Sequence, residues 1–287
     1  MVITTPILTT TDHRRDRAGL IYVYPVVSRR SGGLSIGINL NSNNACNWRC
    51  VYCQVPALTR GTAPDIDRIL LEEELCGLLE DILHGDFYVR YSLPEEQRTI
   101  RDIAISGNGE PTSCREFDIV IDIIGRVCTK FALCSSIRRV LITNGSLITR
   151  PAVQCGLVHW AKLGGEVWFK LDSALEEGIR RINNVRLSPA TVLRHLESCA
   201  RRCPTWIQTS LFVFDGEPPS AMEQQAYLDF LAEARRRGIP IDGVLLYGLA
   251  RPSMQAEAPR LSALSGGWLE AMGQRVREIG LRVRVNE

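Results

Sequence analysis

Lysine is nearly missing from this 287-residue chain. Of 34 basic residues only Lys130, Lys162 and Lys170 are lysines, and the rest are arginines. Each lysine therefore stands out as a compact ammonium among planar guanidiniums. An excess of charge of either sign is missing too: 34 basic residues against 32 acidic ones leave a formal charge of +2. That near-balance excludes attachment to nucleic acid by net charge alone, though not through a local basic patch. No apolar run reaches the ~18 residues of a membrane span. The N-terminal stretch MVITTPILTTTDHRRDRAG lacks the charged start and apolar core of a signal peptide. These absences predict a protein of the reducing cytoplasm. There, ten cysteines read as metal ligands or core thiols rather than disulfides. Low-complexity tracts and residue-level repeats are also absent.

What is present is an alternation of strand and helix. Ser35 to Leu40 alternates, with Ile36, Ile38 and Leu40 on one face. Leu71, Leu75, Leu78, Leu79 and Ile82 then recur at helical spacing. Strands are expected at 100–106, 140–143, 166–172, 206–214 and 243–247, with buried or capped helices between them. Asn144-Gly145 ends the third strand. Ser188-Pro189 opens a helix running to about Cys203. Ser220 with Glu223 forms a capping box, and Gly238 closes that helix. A last helix over 267–279 precedes a short strand. Six strand–helix units imply an α/β fold, a partial (β/α)6 TIM-like barrel with parallel strands. We read residues 1–34 as an N-terminal extension, 35–255 as the core barrel and 256–287 as a closing helix and strand. Reactive residues are expected at the C-terminal ends of the strands.

The loop after the first of these strands reads CNWRCVYC, placing Cys46, Cys50 and Cys53 within eight residues. Three thiolates so spaced can converge on one metal centre, though core thiols would also carry this pattern. Structural zinc takes four protein ligands, and the nearest histidines, His13 and His84, are distant in sequence. A cubane iron–sulfur cluster held by three cysteines leaves one iron open to another ligand. After the next strand comes SGNGEPT, where Gly107 and Gly109 allow close backbone approach and Glu110 supplies a carboxylate suited to an ammonium. A tight strand–helix turn would use the same residues. On the fourth strand, period two puts Trp168, Lys170 and Asp172 on one face, away from Val167, Phe169 and Leu171. Lys170 and Asp172 either pair with each other or flank a polar ligand.

CNWRCVYC resembles the cluster motif of the radical S-adenosylmethionine (radical SAM) enzymes, C-x3-C-x-aromatic-C, with Tyr52 as the aromatic. SGNGEPT resembles their G-G-E-P segment, with Asn108 at a place that often holds glycine. The set NACNWRCVYCQ, SGNGEPT, KLDS, RRIN and YGLARP, spread over residues 35–255, is similar to a poorly characterised group related to wyosine-type tRNA-modifying enzymes. The resemblance implies a [4Fe-4S] cluster on Cys46, Cys50 and Cys53, with S-adenosylmethionine chelating the open iron. It implies cofactor contacts from Tyr52, Gly107, Asn108, Gly109, Glu110, Asn144, Lys170, Asp172, Ser210 and Tyr247, with Lys170 also a catalytic candidate. It further implies reductive cleavage to methionine and a 5′-deoxyadenosyl radical that abstracts hydrogen from substrate. The electron would come from a donor such as flavodoxin or ferredoxin. The substrate class stays open among an RNA base, a peptide and a small molecule. Wyosine-forming enzymes carry further cysteines before the triplet, whereas no cysteine precedes Cys46 here, so their tRNA chemistry is not carried over. A metal-stabilised RNA-binding module, using Arg180, Arg181, Arg186 and Arg235 to Arg237, is the alternative. The remaining cysteines, including Cys76, Cys128, Cys155, Cys199 and Cys203, are expected to pack as small hydrophobes. Cys114 either packs likewise or faces the site.

Overall fold

The computed structural model describes Leu8 and residues 18–28, 32–133 and 136–286. His13, Cys134 and most of the N-terminal stretch read for a signal peptide lie outside the described residues.

Alternating apolar residues produce eight strands of one sheet: β1 (Val23–Ser28), β2 (Gly33–Ile38), β3 (Ile100–Ile105), β4 (Arg138–Thr143), β5 (Gly165–Lys170), β6 (Thr205–Ser210), β7 (Ile241–Tyr247) and β8 (Val283–Asn286). They lie side by side in chain order. From β2 to β8 every pairing is parallel. Sequential parallel strands need helical crossovers, and the chain supplies α1 (Arg68–His84), α2 (Phe117–Lys130), α3 (Pro151–Lys162), α4 (Glu176–Asn183), α5 (Pro189–Ala200), α6 (Ala221–Arg236) and α7 (Gly266–Glu278). The two edge strands, β1 and β8, do not pair with each other, so the barrel is partial, as expected. The unanticipated element is β1, which pairs antiparallel with β2. It contains Pro25, and only four residues separate it from β2, so neither sequence cue for a barrel strand applied. The segment 256–287 adds α7 and β8, the latter parallel to β7.

Strand alternation separates two apolar cores. Ile103, Ile105, Leu141, Val167, Phe169, Ile207, Val244 and Leu246 face outward into the main core beneath the helices. Val140, Trp168, Trp206, Leu245 and Tyr247 form a second cluster on the inner faces, lining the lumen. Helix boundaries follow their caps. Asp67 accepts from the Ile69 and Leu70 amides at the start of α1. Ser220 and Glu223 form the reciprocal box at the start of α6, and Gly238 follows that helix with φ of +63°.

Three differences from the sequence reading matter. The strand expected over 206–214 leaves the sheet at Ser210, and Val213–Phe214 instead pairs with Leu261–Ser262. The helix expected to reach Cys203 ends at Ala200, although Cys199 and Cys203 are both buried in the core. Cys155 is exposed because α3 buries the stripe Val153, Gly156, Leu157 and Trp160, which position 155 lies off. Cys114 is buried in the main core. No described helix is long and apolar enough to cross a membrane.

Candidate active site

The C-terminal ends of the strands hold the site, and the cysteine loop is its most heavily anchored part. Parallel pairing of Ala45–Cys46 with Thr59–Arg60 closes the base of the loop. The end of α4 clamps one side: the Arg49 amide donates to the Asn183 carbonyl (3.1 Å) and the Val51 amide to the Ile182 carbonyl (2.8 Å). Asn184, with φ of +55°, donates its side-chain amide to the Arg49 carbonyl (2.8 Å). The segment after β7 clamps the other side. Ser253 Oγ donates to the Val51 carbonyl (2.6 Å), and Gln255 Nε2 donates to the Val55 carbonyl (2.9 Å).

Within this frame the three thiols lie in each other's field. Burial above all, with a smaller push from the neighbouring Cys53, raises the Cys46 and Cys50 thiols to about 12. Both sulfurs also accept hydrogen bonds. The Trp48 amide donates to Cys46 Sγ (3.4 Å), and Asn183 Nδ2 donates to Cys50 Sγ (3.2 Å). Among the described residues no three His, Cys, Asp or Glu side chains are drawn together as one metal ion requires. A tetrahedral zinc would hold its thiolates roughly 3.8 Å apart (Zn–S about 2.3 Å). The thiolates of a cubane each bind a different iron. A loop with three adjacent thiols and N–H donors on two sulfurs fits a cluster, whose potential such hydrogen bonds tune.

Beside the cysteines, Asp172 is a fully buried acceptor. It receives the Tyr52 hydroxyl, Asn183 Nδ2 at 2.9 Å and the Ser210 amide at 3.0 Å. Lys170 Nζ lies 3.8 Å from Asp172 Oδ1 and 5.0 Å from the centre of the Tyr52 ring. The same Asn183 amide therefore touches both Asp172 and the Cys50 sulfur. Asn183 was not singled out from the sequence, although the RRIN segment that contains it was. The Tyr52 ring packs on Phe212, with centroids 5.5 Å apart. Tyr247 lies in the lumen against Trp168, with centroids 6.4 Å apart.

The SGNGEPT turn meets the loop from the other side. Glu110 is buried and caps the short turn after β3. Its Oε1 accepts from the Thr112 amide (3.1 Å) and from the Thr112 and Thr143 hydroxyls. Its Oε2 accepts from the Asn144 amide (2.6 Å). Burial raises its pKa, and these donors pull it back. Oε1 is saturated, whereas Oε2 keeps one lone pair. The two glycines make room for protein rather than for a ligand. A Cβ on Gly107 would lie 2.1 Å from Asn39 Oδ1, and one on Gly109 would lie 2.0 Å from the Ala45 carbonyl. Asn108 does not adopt positive φ. Its amide donates to Asn39 Oδ1 (2.9 Å) and its side chain to Asn44 Oδ1 (2.6 Å). Asn144 Nδ2 reaches Asn47 Oδ1 (2.9 Å) on the cysteine loop.

Cys46, Cys50, Cys53, Glu110, Asn144, Lys170, Asp172 and Ser210 thus gather at one mouth. Four of the six arginines of the alternative reading are paired with carboxylates. Arg180 pairs with Glu177, Arg181 with Glu223, and Arg236 and Arg237 with Glu233.

Comparison of this architecture with solved structures finds a radical SAM methyltransferase from Sphaerobacter thermophilus at a TM-score of 0.57, with 12% identity over 92% of this chain and 68% of that one. The fold is that of the radical SAM enzymes. Streptococcus suis SuiB, solved bound to S-adenosylmethionine, matches at 0.53 with 14% identity over 89% of this chain and 47% of its own. An archaeal TYW1 matches at 0.50 with 13% identity over 85% of this chain and 71% of its own. The chain thus spans about half the length of SuiB. No family model matches. Among curated proteins, a GTPase Obg from Brachyspira hyodysenteriae is 27% identical over 134 residues, which are 47% of this chain and 17% of that protein. None of the three lysines here follows a glycine, so the phosphate-loop signature G-x4-G-K of nucleotide hydrolases is not in this chain.

Proposed function

We propose that this chain is a radical SAM enzyme. The observation that carries the reading is the three-thiol loop fixed at the C-terminal mouth of an open α/β barrel, with Glu110, Lys170 and Asp172 around it. Cys46, Cys50 and Cys53 would hold a [4Fe-4S] cluster, with 35–255 as the catalytic core. When bound, cluster and S-adenosylmethionine supply a 5′-deoxyadenosyl radical, given an electron from a flavodoxin- or ferredoxin-type donor. The chain's own residues bind and orient. Glu110 Oε2 offers its open lone pair to the methionyl ammonium, and Lys170 offers a donor to a carboxylate or ribose oxygen. Asp172 fixes Tyr52, Asn183 and the Ser210 amide around that position. Trp168, Trp206 and Tyr247 keep water out of the lumen below.

Anaerobic reconstitution with iron and sulfide, followed by dithionite and S-adenosylmethionine, tests the reading. A visible iron–thiolate absorbance and release of 5′-deoxyadenosine are expected. Tight zinc binding with no iron uptake would support the metal-stabilised module instead.

A further inference from the structure

Gln208 lies on β6 between Ile207, which packs in the outer core, and Thr209, whose hydroxyl meets the Tyr227 hydroxyl of α6 at 2.7 Å. Alternation therefore turns Gln208 inward, on the same face as Trp206 in the lumen cluster. The residue is 5% exposed. Its Oε1 is fully buried with no hydrogen-bond partner, and among the described residues no protein group bonds its Nε2 either. A buried carboxamide left unpaired costs free energy that a ligand's hydrogen bonds recover. Lys170 is its register partner on β5, one strand spacing away. The nearest carboxylate oxygen to Lys170 Nζ is at 3.8 Å, too far for a hydrogen bond, so the ammonium keeps its donors available. Asp172 accepts from Tyr52, Asn183 and the Ser210 amide, and the Lys170 ammonium 3.8 Å away offsets its charge.

We propose that Gln208 reads the substrate by pairing its carboxamide with an amide or lactam edge, an N–H beside a carbonyl. A side-chain amide makes such two-bond matches with complementary edges. Lys170 donates a further bond to the carbonyl of the same group. The donors left on Lys170 favour a group that accepts hydrogen bonds, and Trp168 and Tyr247 favour a flat ring. This inference rests on the radical SAM reading of the lumen.

The test compares two probes, quinolin-2(1H)-one and its N-methyl derivative, by calorimetry on the full chain loaded with cluster and S-adenosylmethionine. The lactam should bind at least about tenfold more tightly, because the methylated probe leaves the carboxamide unpaired. Gln208→Met should erase that preference. Ligand-free Gln208→Met should unfold at or above the wild-type temperature, since it removes a polar group that has no partner. Equal binding of the probes, no binding of either, a preference that survives in the Met variant, or a clear loss of its stability would each overturn the proposal. Cluster content and 5′-deoxyadenosine release are measured on the same wild-type preparation. Failure there sinks the enzyme reading, whereas an active protein blind to the lactam sinks only the role of Gln208.

Discussion

Asp172 and Glu110 are both buried carboxylates at strand ends, and in each one oxygen accepts a single bond, from a backbone amide. Asp172 accepts from three neighbours and has Lys170 at 3.8 Å. Glu110 keeps one lone pair on Oε2 while it ties Thr112, Thr143 and Asn144 together. Glu110→Ala strands those donors, at a cost of about 1–3 kcal/mol for each one left unpaired. Thermal unfolding of the ligand-free variant should therefore shift downward. If Oε2 also holds the methionyl ammonium, calorimetry on cluster-loaded variant should show S-adenosylmethionine affinity reduced about ten- to a hundredfold, a charge-assisted bond of roughly 1.5–3 kcal/mol. A stability loss with unchanged affinity would confine Glu110 to tying strand ends. Lys170 gives a separate test. Its side chain is 17% exposed and its ammonium is not hydrogen-bonded to Asp172, so an ion pair alone leaves it underused. Arg keeps the charge but is longer and planar, so Lys170→Arg should keep fold and cluster while misplacing the donor. It should also slow dithionite-driven 5′-deoxyadenosine formation at least tenfold, about 1.4 kcal/mol. An Arg variant that cleaves at the wild-type rate would leave Lys170 to structure or to substrate alone.

At the scale of elements, the strands and helices were legible because each carries its own period and its own cap. The strand end at Tyr247 and the cap at Ser220 follow from local sequence, whereas the strand expected to reach Asp172 ends at Lys170. The wiring of the mouth was not legible, because it runs through asparagines whose partners are far along the chain. Asn108 bonds Asn44 across 64 residues, Asn144 bonds Asn47 across 97, and Asn183 bonds Cys50 across 133. No local pattern encodes such a pairing, so Asn183 went unmarked although its segment was noticed. The glycines show a related limit. Sequence marks Gly107 and Gly109 as places of close approach, but not what approaches. The structure puts Asn39 and the Ala45 carbonyl there. Gly109→Ala should therefore act through the cysteine loop. Its Cβ would lie 2.0 Å from a backbone carbonyl, so the chain between Ala45 and Cys46 must shift. Overpacking of this kind costs about 1–3 kcal/mol. The variant should take up less iron on reconstitution while its far-ultraviolet circular dichroism stays that of the wild type. Full iron occupancy in Gly109→Ala would show that this contact does not position the loop.

For the whole molecule, an open sheet wound by helices leaves one mouth where strand ends, cysteine loop and capping turn meet, and it distributes the thiols unevenly. Ten cysteines less the three of the triplet leave seven. Of these, Cys114, Cys128, Cys199 and Cys203 are buried, Cys76 is half-buried and Cys155 is exposed, while Cys134 lies outside the described residues. Cys199 and Cys203 are only four apart, yet they belong to the core beneath the helices. Burial pushes the Cys199 thiol up to about 12 and holds the Cys203 thiol raised as well, which opposes the thiolate that metal binding requires. Cys46 and Cys50 are raised by burial too, but they share a loop with Cys53 at the barrel mouth, where iron binding would displace their protons. The expectation is one cluster and no second. Anaerobically reconstituted wild type should hold about four irons per chain, one cubane's worth, measured by iron and protein assay on the desalted protein. Replacing Cys46, Cys50 and Cys53 together with Ala should remove the iron and the visible absorbance, while Cys199→Ala with Cys203→Ala should leave both in place. A content near eight irons, or a cluster that persists in the triple variant, would place cluster ligands elsewhere in the chain and overturn the assignment of the mouth as the active site.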